Sequence, residues 1–415
     1  MATAVHYTRT QWAGGQGFFH SGDVQVGDRR VLYVYDCGAL APGQLTGRIP
    51  DSLTREIAVF RERHGDEIDL LFVSHYHADH INGLPSLLQG AHLETAVIPL
   101  VPIAERLLVF AQALATALEI TDWYRDVIAD PASAIRDIAD GVEIIGVEPS
   151  LADPDEDPTE GQFDPPVPED PPPGTASEDL SNDVELRPGT RSVLEGSDGH
   201  TTVPLWEWDT MATTFALRKK DAFLDALAKE LGISRAALDT QLDDPTGVRD
   251  LVTQHEQELE AAYSKTYPDV NLTSLLVYSG PATEVRSRGR THRTRPVVER
   301  GELCAWGIHP GWLGTGDQSM GVTRCQEAVK HFGARLARVG SLALPHHGSD
   351  SDCHPSLLAA FGDHRPVCSA SVGTYNTYGH PGRKVLMEVS SNGNHVVVVT
   401  EREASRWTEA GVSYL

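Results

Sequence analysis

The stretch "IDLLFVSHYHADHINGLPSLL", Ile68 to Leu88, sets the reading of the whole chain. Its first part is an apolar run without alternation, which fits a strand over Ile68–Ser74 with both faces covered. A loop and then a helix follow. His75, His77, Asp79 and His80 crowd the point where the strand ends. Strands bury their side chains, whereas the loops at their ends are free to meet loops from distant parts of the chain. His75 and His77 lie two apart, so in extended backbone both point the same way and suit one cation. Asp79 and His80, past the bend, suit a second.

Further candidates stand at the ends of other apolar runs. Asp36 follows the expected strand Val31–Tyr35, Asp317 sits in "GTGD", and His346 and His347 sit in "PHHGS". A carboxylate has two oxygens, so Asp317 suits a bridge between two ions, with His346 completing the second set. Imidazole and carboxylate donors suit Zn²⁺ or Mn²⁺. Two such ions about 3.5–4 Å apart hold a hydroxide between them and clamp both sides of a displacement at phosphorus or a carbonyl.

The pattern Asp-x-Gly, His-x-His-x-Asp-His, later Asp and final His resembles the metallo-β-lactamase superfamily. Within it, "GGQG" (Gly14–Gly17), "NLTSLLVY", "GTGD", "PHHGS" and "YNTYGHP" resemble the hydrolase domain of the competence DNA-uptake channel and its free-standing relatives. The likeness spans roughly residues 1–100 and 268–400. It implies an α/β fold of αββα sandwich type and two divalent ions, Zn or Mn. It also implies His75 and His77 on one ion, Asp79 and His80 on the other, Asp317 bridging and His346 completing the second site. Asp36 would hold the histidine loop from behind. His346 is preferred to His347 because the first histidine is the ligand in related His-x-Gly-Ser/Thr loops. One slot departs from the pattern. Where many members carry another metal-binding histidine, this chain reads "PDVNLTS", with only Asp269, Asn271 and Ser274 as donors. Oxygen donors are harder than imidazole, which tilts that position toward Mn²⁺ and argues against lactamase or glyoxalase-like activity.

Strands are expected at "TAVIPL", "GVEIIGVEP", "NLTSLLVYSG", "GELCAWGIHP", "GSLALPHHGSD" and "HVVVVTE". Helical spacing covers Pro102–Asp140, Lys220–Leu231, Asp250–Tyr263 and Gln326–Leu336. Pro149–Asp183 is rich in Pro, Asp and Glu, has no Lys or Arg, and buries too little apolar surface to offset its ordering entropy. It is expected to be a disordered linker. The chain is accordingly divided into a first half-domain (1–101), a long helical insertion carrying that linker (102–267), and a second half-domain (268–415).

Hydrophobic residues make up 40% of the 415, enough for a sizeable core. The net charge of -25 disfavours broad binding to nucleic acid or anionic lipid but permits a local basic site. The N-terminus lacks the apolar core of a signal peptide. The apolar region Ala96–Ile120 is interrupted by Pro99, Pro102, Glu105 and Arg106, so no membrane span is expected. Five cysteines without metal-type spacing read as reduced thiols of a cytoplasmic protein.

"RSRGRTHRTR", with Arg290 and Arg293 near its centre, breaks this acidic chain and reads as a phosphate clamp near the ions. Asn376 and His380 in "YNTYGHP" add a substrate contact and a proton donor for the leaving oxygen. Ser274 and His347 are read as neighbours of the ligands or of substrate. The leading expectation is a nuclease or phosphodiesterase that acts on single-stranded nucleic acid or a nucleotide ligand through a metal-bound hydroxide, with Asp79 and His380 as catalytic residues. Hydrolysis of lactone, thioester or β-lactam bonds is one alternative, and a regulated or inactive metal-binding scaffold is another. A regulatory protein or protease acting on the 149–183 linker is a further expected partner, since its acidity mimics a phosphate backbone.

Overall fold

Along Arg29–Cys37 (β3), successive side chains enter different cores, as the period of two in a strand requires. Leu32 and Val34 join a cluster roofed by helices, while Tyr33 and Tyr35 join a second cluster shared between two sheets. This computed structural model describes residues 3–41, 49–116, 120–151, 185–186, 191–197, 202–214, 220–266, 273–282, 291–294 and 309–414.

Among the described residues the first sheet has nine strands. In spatial order they are β12 (Thr291–Thr294), β17 (Trp407–Tyr414), β1 (Ala4–Gln11), β2 (Phe19–Val26), β3, β4 (Glu67–Phe72), β5 (His92–Pro99), β6 (Glu143–Val147) and β8 (Glu185–Leu186). Pairing is antiparallel from β12 to β3 and parallel from β3 to β8. The second sheet runs β16 (Val396–Val399), β15 (Val367–Ser371), β14 (Val339–Ala343), β13 (Gly311–Gly314), β11 (Ser274–Pro281), β10 (Thr202–Thr214) and β7 (Pro149–Leu151). β9 (Arg191–Ser197) also pairs with β10.

Tyr7, Tyr33, Tyr35 and Phe72 of the first sheet pack against Trp206, Trp208, Leu275 and Trp312 of the second. The outer face of the first sheet is covered by α1 (Asp51–His64), α3 (Leu84–Leu88), α4 (Ile103–Ala115), α5 (Asp122–Ala129) and α6 (Pro131–Arg136). Four more helices extend this cluster: α7 (Lys220–Leu231), α8 (Arg235–Leu242), α9 (Pro245–Gln254) and α10 (Glu256–Thr266). The outer face of the second is covered by α11 (Val322–Phe332), α12 (Pro355–Ala359) and α13 (Arg383–Ser391). The short α2 (Ala78–Ile81) carries the end of the histidine motif. Among the described residues no helix is long and apolar enough to cross a membrane.

The range 102–267 is more than a helical insertion. It supplies β6 and β8 to one sheet and β10 to the other, and its helices share one core with α1 and α3. β10 escapes a reading by pattern because it buries Glu207 and Asp209. Arg335 donates to Glu207 at 2.9 Å, and His331 stands 3.2 Å from Asp209, so these acids are paired inside the fold. Residues 149–151 of the acidic segment form β7; 152–183 lie outside the described residues, as do 301–308 of the expected strand "GELCAWGIHP".

Candidate metal centre

β3 and β4 run parallel and end side by side, which brings Asp36 under the His75–His80 loop. Asp36 sits at φ 55 and is fully buried. Its Oδ1 accepts from the Ser74 backbone N–H at 2.7 Å, and its Oδ2 accepts from Ser74 Oγ at 2.6 Å and from His80 Nδ1 at 2.8 Å. The loop is pressed onto two glycines. A Cβ on Gly17 would stand 2.2 Å from the Asp79 carbonyl oxygen, and one on Gly38 would stand 2.5 Å from it, so any side chain there would displace the loop.

These contacts fix tautomers. Ser74 Oγ gives its one proton to Asp36, so it accepts from His75 Nδ1 at 2.8 Å. His80 donates through Nδ1 to Asp36, and His346 through Nδ1 to Asp352 at 2.8 Å. All three imidazoles therefore present Nε2 to the interior of the site.

Asp317 lies between them, in the loop after β13. Its Oδ2 is 3.6 Å from His75 Nε2 and 3.7 Å from His346 Nε2. Its Oδ1 is 3.3 Å from His80 Nε2 and 3.7 Å from His347 Nε2. His347 Nε2 is also 3.4 Å from Asp79 Oδ2. The donor atoms of His75, His77 and Asp317 lie within 4.8 Å of one another, and so do those of Asp79, His80 and His347.

The donor set fits a metal ion. His77 Nε2, His80 Nε2 and both ring nitrogens of His347 are buried without a hydrogen-bond partner. Orphaned buried nitrogens are costly unless something satisfies them. Two nitrogens bound at ~2.1 Å to one tetrahedral ion stand about 3.4 Å apart. His75 Nε2 and His77 Nδ1 are 3.0 Å apart, and the contacts around Asp317 run from 3.3 to 3.7 Å.

Protonation differs across the site. Burial, with His80 close by, holds His75 well below the usual histidine value, and burial lowers His77 too. Burial also opposes charge on His80, but Asp317, Asp79 and Asp36 outweigh it and hold that imidazole well above its usual value. Burial disfavours the Asp317 and Asp79 carboxylates as well; the positive field of His80, with His346 or His347, brings both below the usual carboxylate range. For His346, burial is overcome by Asp317 and Asp352, which raise it to about 9.

The tandem histidines correct one expectation. His347, not His346, groups with Asp79 and His80. His346 and His347 sit at φ 45 and φ 57, in the left-handed region that side chains with a Cβ rarely adopt. This kink sends the rings to opposite oxygens of Asp317. A reading from spacing has no access to that backbone state.

Other expected residues fall in varied places. Ser274 is buried with an unpartnered Oγ, and a Cβ on Gly316, next to Asp317, would stand 2.2 Å from it. His380 stacks near the site, with its ring 5.3 Å from His346 and 6.4 Å from His347. Burial, helped by those two imidazoles, lowers His380 to about 4, so it stands neutral rather than as an imidazolium acid. Asn376 is not free for substrate through its amide N–H groups: they donate to Gly373 O at 2.9 Å and His380 O at 3.0 Å, while its Oδ1 accepts from His380 N. Arg293 lies on β12, opposite Glu409. Four strand spacings separate β12 from β3, roughly 19 Å, so Arg293 stands on a sheet edge and not beside Asp36; the rest of the arginine stretch lies outside the described residues. Asn271 and Arg290 lie outside the described residues.

Three supporting residues were not singled out from sequence. Ser74 links Asp36 to His75, and Asp352 pins His346; its place six residues after that histidine was the available signal. Tyr124 of α5 donates to the Tyr76 carbonyl at 3.0 Å, bracing the motif between its first two histidines. No sequence pattern marked it. No protein-family model matches this chain, and no curated protein matches it.

Proposed function

We propose that this chain is a two-metal hydrolase of the metallo-β-lactamase superfamily that cleaves phosphodiester bonds in nucleic acid or a nucleotide. One observation carries the reading: the two oxygens of Asp317 face two separate sets of imidazoles. Facing sheets with helices outside, and donors at the strand ends, support the αββα arrangement of that superfamily.

His75, His77, His346 and Asp317 Oδ2 would hold one ion, and Asp79, His80, His347 and Asp317 Oδ1 the other. Divalent ions so held supply an activated water at neutral pH and offset charge on a phosphoryl group. Asp36, Ser74 and Asp352 keep each Nε2 aimed inward. Asp79 stays ionised because its carboxyl is held below the usual range. His380, neutral and beside His346, offers an N–H to a phosphoryl or departing oxygen. A cytoplasmic setting belongs to this reading, supported by four described cysteines that are all free thiols.

The test pairs metal analysis with a substrate panel on wild type and Asp317→Ala. Two ions per chain and turnover of DNA, RNA or a small phosphodiester are expected for wild type, with both lost in the variant. Wild type that holds two ions but turns over only a lactone or β-lactam would sink the phosphodiesterase reading.

A further inference from the structure

From the surface around the centre, and resting on the phosphodiesterase reading, we infer that Tyr375 and Tyr378 form a stacking platform for unpaired nucleobases. Among the described residues these two are the most exposed large apolar side chains, each 70% exposed. Both sit in the loop between β15 and α13 that carries His380. The Tyr378 ring is 5.8 Å from His380, whose ring is 5.3 Å from His346. A row of rings thus leads from open solvent to the edge of the metal centre.

The loop is held rigid while its aromatic rings are left uncovered. Thr374 N–H donates to Glu401 at 2.9 Å, Gly373 N–H donates to Gln16 at 3.2 Å, and Asn376 ties the loop to the His380 backbone in both directions. A preorganised, solvent-facing aromatic loses little freedom when a flat partner lands on it. Arg383 and Lys384, both exposed, follow directly. Two exposed rings and two exposed cations thus fall within ten residues, Tyr375 to Lys384, of a chain of net charge -25. Aromatic faces alternating with basic side chains are the chemistry by which single strands are held. A paired duplex keeps its bases stacked and leaves no face for the tyrosines.

The experiment measures binding of fluorescent ten-nucleotide oligothymidylate, an abasic oligomer of equal length, and a duplex, by anisotropy with chelator present to stop cleavage. Oligothymidylate should bind at least about tenfold tighter than the abasic strand and the duplex. Tyr378→Ala should erase most of that preference and Tyr378→Phe should keep it; Tyr375→Ala should fall between. Equal binding of the abasic strand, or unchanged binding by Tyr378→Ala, overturns the platform. Turnover of a small phosphodiester lacking a base is measured alongside. If turnover occurs and the preference is absent, the platform alone fails; if the preference is present but neither the small phosphodiester nor, with metal in place of chelator, the oligomer is cleaved, the platform stands as a binding site and the phosphodiesterase reading fails.

Discussion

The two sides of Asp317 are built from similar side chains yet hold their protons differently. Around Oδ2, His75 and His77 are neutral because burial lowers both. Around Oδ1, His80 is protonated and faces Asp36, Asp79 and Asp317. On the first side His75 and His77 offer lone pairs already made and only His346, raised to about 9, holds a proton; on the second, His80 is locked as an ion pair that a cation must displace. Asp317 has the largest effect on His80, and Asp79 and Asp36 add to it; together the three acids turn this imidazole set into a proton-competing site.

The strongest break of this contrast is His80→Ala. It removes the protonated ligand and should leave one ion per chain by elemental analysis, with phosphodiester turnover down by roughly 10³-fold. Two ions retained would mean that the sides are not separate. Asp36→Asn comes next. An amide keeps one acceptor oxygen and gains an NH2 group, so either the Ser74 backbone N–H or the pair of Ser74 Oγ and His80 Nδ1 would face a donor instead of an acceptor. Because Asp36 supports His75 through Ser74 and His80 directly, both ions should bind about 10–100-fold more weakly. Loss confined to one ion would show that Ser74 orients His75 unaided.

Asp352→Asn sharpens the contrast with a smaller effect. It touches His346 alone, so roughly tenfold weaker binding should appear for the first-side ion only, read by two-site calorimetric titration. The smallest effect concerns protons. His80 has a raised value and is charged near pH 7 without metal, so ion binding must expel its proton. Second-side affinity should therefore fall about tenfold per pH unit as pH drops through neutrality. His75 and His77, whose values are lowered, release no proton near neutrality, so first-side affinity follows pH through His346, at about 9. Calorimetry in buffers of different ionisation enthalpy counts the protons released.

Much of this was legible in the chain itself. β3 and β4 were visible as apolar runs, and Asp36, His75, His77, Asp79, His80 and Asp317 stood at their expected rim because strand ends converge. What escaped depended on tertiary surroundings. The division of labour between His346 and His347 follows from two backbone torsions that no spacing encodes. β10 was hidden because Glu207 and Asp209 look solvent-facing until Arg335 and His331 are seen beside them. The arginine stretch drew attention by its charge, but charge says nothing about which sheet edge a segment joins. Tyr124 braces the motif from a helix nearly fifty residues away, through an O–H bond of 3.0 Å.

The kink at His346 and His347 has a consequence for how the centre fills. Two adjacent residues with a Cβ in left-handed backbone cost about 1–3 kcal/mol each. They form one elbow whose two rings serve different ions, so a cation arriving on either side holds the elbow bent for the other. In the two-metal reading this elbow is the one strained backbone element that both ligand sets share.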